Sequence, residues 1–321
     1  MGAHHHIGKG KFYRESVKVP WSFSLPGVIP VGVIPEDVSH LDSVATFLDY
    51  LNVSQFDVSD GTSLRRYLDY QGINDQREEC AVISEMDERR PLDRREFTRM
   101  NLGREPEFMI VHRGFKLMLP KVATSPIRDM LFNLKRDPYE MKNLLGSRGN
   151  RASIYTVSRA EYLKVLLIEY LELHDGEDRV YSDPKYFYEM TRGDLAEVID
   201  RSTWRKVPLW VSHWETMKFG RPSYSENQNK YIRNEFLYLG RTLRGKVEIE
   251  SISIDGKDAA LFTVDGNSFA LRKDDYRRLK VTYENDDDVD WGQIEAQLHV
   301  NVTGTGILSL DLRVSNEICP S

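Results

Sequence analysis

From residue 230 onward the chain consists of short runs that alternate apolar and polar residues, and this pattern constrains its fold more than any other feature. The runs cover residues 246–254, 259–264, 268–271, 277–283, 293–300 and 307–314, and each is bounded by Gly, Asp or Asn. Six or seven short strands without intervening helices predict a β-sandwich. The apolar positions shift phase between Ile249 and Ile252, which predicts a β-bulge near Ser251.

The first part of the chain mixes helical and strand patterns. Residues 17–25 alternate with a period of two, which predicts a strand, and Pro26-Gly27 follows as a turn. An apolar stripe after Ser39, with Asp42 three residues on, predicts a helix over about residues 40–52 opened by a capping box. Residues 72–107 are rich in charge and predict a long surface segment with at most one short helix or strand.

A small antiparallel sheet is predicted next. Two apolar stretches between residues 107 and 119 flank Arg113-Gly114, which is typical of a β-hairpin, and residues 130–134 add a short strand before the turn at Asp137-Pro138. Ser158 and Glu161 form a second capping box, which predicts a helix over about residues 159–173. Residues 177–229, with scattered Pro and Gly, are predicted to be an irregular connector.

Composition excludes two classes of partner. Hydrophobic residues make up 40% of the 321 residues, enough for a packed core, and the net charge is −6. An acidic chain offers no large positive field for nucleic acid, so we expect no nucleic-acid partner. No window approaches about 18 consecutive apolar residues, and neither a membrane span nor an export signal is predicted.

The candidate chemistry lies at the N-terminus. Residues 2–12 hold three histidines and two lysines among glycines. Glycines let a backbone approach a ligand closely, and ammonium and imidazolium groups donate to tetrahedral oxyanions such as sulfate or phosphate. One interpretation is therefore an oxyanion pocket. The alternative is a solvated terminus whose charges have no function.

Four motifs, in order along the chain, resemble those of the sulfatase family. The stretch G-A-H-H-H-I-G-K-G-K-F-Y-R-E-S-V-K-V-P resembles the family's G-E-H-x-x-x-G-K-x-x-x-Y-E-x-S-x-R-V-P. Residues 38–48 resemble V-S-x-x-D-x-x-P-T-x-L, residues 60–64 resemble D-G-x-S-L, and residues 131–144 resemble L-Y-D-L-x-x-D-P-x-E-x-x-N-L. The resemblance covers about residues 2–174 and corresponds to the C-terminal part of a sulfatase.

The resemblance implies roles for individual residues. Lys9 matches the lysine that contacts the sulfate oxygens of the substrate. His4 matches a histidine near the rim of the pocket, although Ala3 stands where the family has an acid. Lys11 and Arg14 are expected to be either substrate-facing or merely exposed.

On the hairpin, Arg113 and Lys116 fall near the family's R-x-x-K-Y, and a structural role is expected for both.

The family's nucleophile and metal ligands are not present in this sequence. Sulfatases use formylglycine, made within C-x-[PA]-S-R, and acidic calcium ligands that include S-D-[HN]-G. Neither Cys80 nor Cys319 lies in such a motif, and the calcium motif would precede Met1. We therefore expect this polypeptide to be inactive alone, because removing the nucleophile from a covalent mechanism removes nearly all turnover. No complete set of catalytic residues and no metal ligands are predicted here.

The fold class predicted is α/β. Residues 1–176 are expected to form a partial sulfatase fold, with late mixed-sheet elements, a small antiparallel sheet and a C-terminal helix. Residues 177–229 are the predicted connector, and residues 230–321 resemble the immunoglobulin-like sandwich of bacterial exported proteins.

The function implied is hydrolysis of sulfuric esters, with sulfated carbohydrate as substrate and calcium as cofactor. The family is usually periplasmic, extracellular or lysosomal. One alternative is a phosphoester hydrolase of the same superfamily, since lysine and histidine accept either oxyanion. The other is a non-catalytic binding or structural protein, either a remnant or the partner of a separately encoded N-terminal half.

Overall fold

The computed structural model of this chain describes twelve parts of the sequence. They are residue 4 and residues 11–33, 37–53, 61–69, 81–86, 107–120, 129–146, 152–174, 207–241, 246–265, 276–287 and 289–315. The described part is mostly sheet, with few helices. No helix within these ranges is both long enough and apolar enough to cross a membrane.

The regular elements run as follows. The α-helices are α1 (Arg14–Val17), α2 (Asp42–Tyr50), α3 (Arg65–Leu68) and α4 (Ile154–His174). The strands are β1 (Val82–Met86), β2 (Glu107–His112), β3 (Phe115–Pro120), β4 (Met130–Asn133), β5 (Trp210–Val211), β6 (Thr216–Phe219), β7 (Ser223–Ser225), β8 (Lys230–Gly240), β9 (Ile249–Asp255), β10 (Phe262–Asp265), β11 (Tyr276–Asn285), β12 (Ala296–Val302) and β13 (Gly306–Val314). Two 3-10 turns, Ala259–Leu261 and Trp291–Gln293, lie between strands.

The chain divides into two compact units. Unit 1 contains Met1–Ser24, Ala81–Thr156 and Leu163–Arg205. Unit 2 contains Leu25–Cys80, Val157–Tyr162 and Lys206–Ser321. This division differs from the boundaries expected from sequence, because residues 25–80 group with the C-terminal strands and not with the N-terminal segment.

Unit 1 is built on an antiparallel sheet of order β1-β2-β3-β4. The hairpin between β2 and β3 pairs Glu107 with Pro120 at its open end. At its turn Arg113 and Gly114 have φ of 48° and 73°, as a two-residue type I′ turn requires, and the right-handed twist of the strands favours that turn. The predicted hairpin and the strand after it are therefore confirmed.

The strand predicted over residues 17–25 is wrong. Val17 ends the short helix α1, and among the described residues no strand pairs with residues 18–25. Val19 and Leu25 are 45% and 41% exposed, so the apolar positions of the alternation do not share a buried face. Pro20 also lacks the N–H that a ladder would use. The turn at Pro26-Gly27 is confirmed, with φ of 80° at Gly27.

The two longer helices match their predictions to different degrees. Helix α2 falls within the predicted range, and the backbone N–H of Ser39 donates to Oδ2 of Asp42 at 2.9 Å, which is one of the two bonds of the predicted capping box; Oγ of Ser39 accepts from the N–H of Leu41 instead of Asp42. Helix α4 begins five residues earlier than predicted. Its cap is Ser153, whose Oγ accepts from the N–H of Thr156 at 3.2 Å. Ser158 instead lies inside the helix, and its Oγ accepts from the N–H of Val211 at 3.4 Å.

Unit 2 contains two sheets that share one apolar core. The first has the order β10-β11-β8-β5 with β7 also paired to β8, and the second has the order β6-β13-β12-β9. All pairs are antiparallel except β13 with β6. Buried side chains of both sheets, such as Leu279, Val281, Leu298 and Leu310, belong to one cluster, so the predicted β-sandwich is confirmed.

The sandwich takes in more of the chain than the sequence pattern indicated. Strands β5, β6 and β7 lie in residues 207–229, which were expected to be an irregular connector. The long strand β8 was missed because its second half is buried at every position from Glu235 to Gly240, which removes the alternation. The predicted bulge is confirmed: Ile249 pairs with Val302 and Ser251 with Asn301, leaving one extra residue on β9.

Candidate functional site

The structure describes only one of the two predicted sulfate-binding residues. Lys9 lies outside the described residues, as do the neighbouring positions 5–8 and 10. His4 is described, and its side chain is 9% exposed. Its ring stacks on the ring of Tyr13 with 3.8 Å between centroids and 5° between planes. The imidazole therefore has a fixed position beside the first turn of α1.

The segment from Lys11 to Glu15 lies against a buried group of charges. Lys11 forms an ion pair with Glu107, the first residue of β2. Lys116, on β3, forms an ion pair with Glu140, which follows the turn after β4. All four side chains are almost wholly buried. Such pairs are strongly destabilised when one partner is removed, because the other charge is then left uncompensated.

The second ion pair also binds the backbone on both sides of Tyr13. Nζ of Lys116 donates to the carbonyl oxygen of Phe12 at 2.7 Å. Oε2 of Glu140 accepts from the backbone N–H of Arg14, also at 2.7 Å. Glu140 itself has φ of 56°, in the left-handed region. Lys116 and Glu140 thus fix the conformation of the chain just after the predicted oxyanion segment.

The side chain of Arg14 also makes contacts that fix its position. Its guanidinium donates to the carbonyl oxygen of Pro138 at 3.1 Å and lies over the ring of Tyr139, 5.6 Å from the centroid. Lys11, expected to be either substrate-facing or exposed, is neither, since it is buried with Glu107. Lys116 has the structural role that was expected for it.

The buried charges perturb Tyr13. Burial, and then the negative charges of Glu107 and Glu140, raise the pKa of its phenol above the ordinary value of 10. Its hydroxyl donates to Sδ of Met130 at 3.5 Å, a weak acceptor. The phenol therefore remains neutral at physiological pH, which makes it a packing surface for His4 and not a base.

Sequence reasoning missed the two glutamates. Glu140 lies within the fourth motif, but Glu107 lies within none. The signal for Glu107 was its position directly before the apolar run of β2, since a charged residue in a fully buried strand almost always has a buried partner of opposite charge.

The other motif residues stabilise local structure in unit 2. Oδ1 of Asp42 accepts from the N–H of Thr62 at 2.9 Å, and Oγ1 of Thr46 accepts from the N–H of Leu64 at the same distance. A Cβ on Gly61 would lie 1.9 Å from the carbonyl oxygen of Leu41. These contacts bind the second motif to the third and require glycine at that position.

The described residues do not fit a calcium site. Ca²⁺ takes six to eight oxygen ligands. Within the described ranges, only one group of three His, Asp or Glu side chains could share an ion, and it consists of His4, Glu15 and Glu140. One imidazole and two carboxylates do not form an all-oxygen shell of that size. Both cysteines, Cys80 and Cys319, lie outside the described residues.

Comparison with known proteins gives similarity to solved structures alone. No family model and no curated protein matches the chain. A candidate sulfatase from Bacteroides thetaiotaomicron VPI-5482 is 20% identical over 41% of this chain and 24% of its own, with a TM-score of 0.30. A protein in complex with its substrate D-glucosamine-2-N,6-O-disulfate is 23% identical over 41% of this chain and 23% of its own, also at 0.30.

The phosphonate monoester hydrolase of Agrobacterium radiobacter is 19% identical over 49% of this chain and 30% of its own, with a TM-score of 0.33. The matched part of the chain thus spans less than a third of each of these structures. TM-scores this low do not establish a shared fold.

Proposed function

We propose that unit 1 is the oxyanion-binding part of a sulfuric ester hydrolase of the sulfatase type, with Lys9 as the residue that binds the sulfate group. A lysine ammonium neutralises charge that develops on the sulfuryl oxygens and helps to hold the ester in line with a nucleophile. His4, at the rim, supplies a second donor. The substrate class proposed is sulfated carbohydrate.

One observation supports this proposal: two motifs more than a hundred residues apart in sequence are joined by hydrogen bonds and by a buried ion pair. Glu140, of the fourth motif, accepts from the N–H of Arg14, of the first motif, at 2.7 Å. Lys116 binds both Glu140 and the carbonyl oxygen of Phe12. Such a frame favours a binding role for the segment over a solvated terminus, since buried ion pairs are costly to form.

The ends of residues 5–10 support the same interpretation. His4 precedes them and is stacked on Tyr13, and Lys11 follows them and is paired with Glu107. A segment whose two flanking residues are both fixed loses less conformational entropy when it binds an anion.

The polypeptide is proposed to bind sulfate esters without hydrolysing them. Formylglycine and calcium would supply the nucleophile and a Lewis acid in a complete enzyme, and no residue described here fits either. The sandwich of residues 230–321, proposed to be immunoglobulin-like, would act in spacing or in contact with polysaccharide.

Equilibrium binding tests the proposal. Titration of the purified chain with glucosamine 6-sulfate should give saturable binding, whereas unsulfated glucosamine should give none. Lys9→Ala should abolish the binding. Lys18→Ala, which removes an exposed lysine nine residues later, should leave it unchanged.

Turnover of an aryl sulfate with added calcium should remain at background. Equal binding of both sugars, equal effects of the two lysine substitutions, or clear calcium-dependent turnover would each contradict the proposal.

A further inference from the structure

A histidine and two glutamates converge at the start of α1. One ligand atom from each of His4, Glu15 and Glu140 lies within 4.8 Å of the other two. Nε2 of His4 is 3.8 Å from Oε2 of Glu15. Among the residues that the structure describes, no other three His, Cys, Asp or Glu side chains come this close together.

Two of the three side chains are held in place by other contacts. The ring of His4 is fixed by its stacking on Tyr13, which leaves Nε2 directed at Glu15. The carboxylate of Glu140 is buried and fixed by Lys116 and by the N–H of Arg14. An ionised carboxylate has about four lone-pair sites, so these two contacts leave acceptor capacity for a cation.

The third side chain, Glu15, is exposed to solvent and can change its position. Glu15 is 46% exposed at its side chain, so its carboxylate can move without disturbing the packing. A tetrahedral ion with Zn–N and Zn–O bonds near 2.1 Å needs its ligands about 3.4 Å apart. The observed 3.8 Å between His4 and Glu15 is close to that separation. The ligand atom of Glu140 lies within 4.8 Å of the other two, so binding would require the three side chains to close by up to about 1.4 Å.

The charges around the three ligands are nearly balanced. The ion pairs of Lys11 with Glu107 and of Lys116 with Glu140 cancel internally, Glu15 adds one negative charge, and Arg14 adds one positive charge beside it. The ammonium of Lys116 is the positive group that faces Glu140 and would lower the affinity for a dication. The attraction for a cation therefore comes from the two carboxylates of the site itself and not from a net negative field.

We propose that His4, Glu15 and Glu140 form a binding site for a divalent first-row transition metal, with Zn²⁺ as the favoured ion. An imidazole with two carboxylates and no thiolate is a donor set typical of Zn²⁺, whereas Ca²⁺ and Mg²⁺ prefer oxygen ligands alone. Water completes the coordination. The site joins the first motif to the fourth through a metal and does not depend on sulfate binding.

Glu15→Gln is the decisive variant, because Glu15 is partly exposed and its loss does not disturb the buried ion pairs. Titration of the whole chain with Zn²⁺ in a calorimeter should give one site, and Co²⁺ should give the visible absorption of a tetrahedral complex. Glu15→Gln should weaken binding of either ion at least about tenfold. Glu226→Gln, which removes an exposed carboxylate in unit 2, should leave it unchanged.

A second comparison separates this site from chelation by the histidine triplet alone. The double variant His5→Ala/His6→Ala should retain the affinity for Zn²⁺, while His4→Ala should lose it. If Glu15→Gln binds Zn²⁺ as tightly as the parent chain, or if His5→Ala/His6→Ala abolishes binding, the proposal is wrong.

Discussion

Lys116→Met should open the sheet of unit 1 locally. The substitution keeps the apolar length of the side chain but leaves the carboxylate of Glu140 buried without its counter-charge. The two side chains of the pair are 3% and 0% exposed. Loss of one partner of a buried ion pair costs about 3–5 kcal/mol, which corresponds to about 100- to 5,000-fold in the population of the opened state.

Native-state amide hydrogen exchange measures this change for each unit separately. The amides of Ile110 and Val111, on β2, should exchange faster by that factor. Those of Leu298 and Val300, on β12 in unit 2, should be unaffected.

Two controls test the reasoning behind Lys116→Met. The double variant Lys116→Met/Glu140→Gln should recover part of the protection, because the amide oxygen still accepts from Arg14 and no buried charge remains. Arg313→Met breaks an exposed pair with Glu295, 3.0 Å long, and should cost at most about 1 kcal/mol. If Lys116→Met costs no more than Arg313→Met, the buried ion pair does not hold unit 1 together.

Two further perturbations test individual contacts. Tyr13→Phe should remove one phenol that titrates above pH 10, which the difference between the ultraviolet titrations of the two proteins would show. The free energy of unfolding of the parent should fall as pH rises above 10, because the folded state holds that proton more tightly than the unfolded state does. If the phenol lost in Tyr13→Phe titrates below pH 10, the reasoning is wrong. Gly240→Ala would place a Cβ 2.4 Å from Cζ2 of Trp210 and should destabilise the sandwich by about 1–3 kcal/mol in urea unfolding. In the control Gly292→Ala, the nearest atom to the new Cβ is 3.5 Å away, so the free energy of unfolding should hardly change. Equal costs for the two variants would show that the Trp210 ring moves aside.

The sequence predicted those elements whose pattern arises from local chemistry. The hairpin at Arg113-Gly114 follows from a turn that requires positive φ at both positions. The sandwich follows from alternation, and the bulge in β9 from a break in that alternation. Each of these features can be read from a few neighbouring residues, without knowledge of what packs against them.

The sequence-based predictions were wrong where tertiary contacts determine the local structure. Residues 17–25 alternate as a strand does, but alternation does not supply a partner strand, and Pro20 weakens any ladder. Strand β8 lacks alternation because residues from both faces of its second half are buried. The ion pairs of the candidate site could not be predicted from local pattern at all, since the pair of Lys11 and Glu107 joins residues 96 positions apart.

The most direct test of the central claim is a nuclear magnetic resonance titration of the isotopically labelled chain with glucosamine 6-sulfate. We predict that the largest shift changes fall on the backbone amide of Lys9 and on the ring of His4, that they saturate, and that the sandwich amides do not move. Changes spread evenly over exposed lysines such as Lys18 and Lys257, or none at Lys9, would contradict the assignment of this segment as a sulfate-binding site.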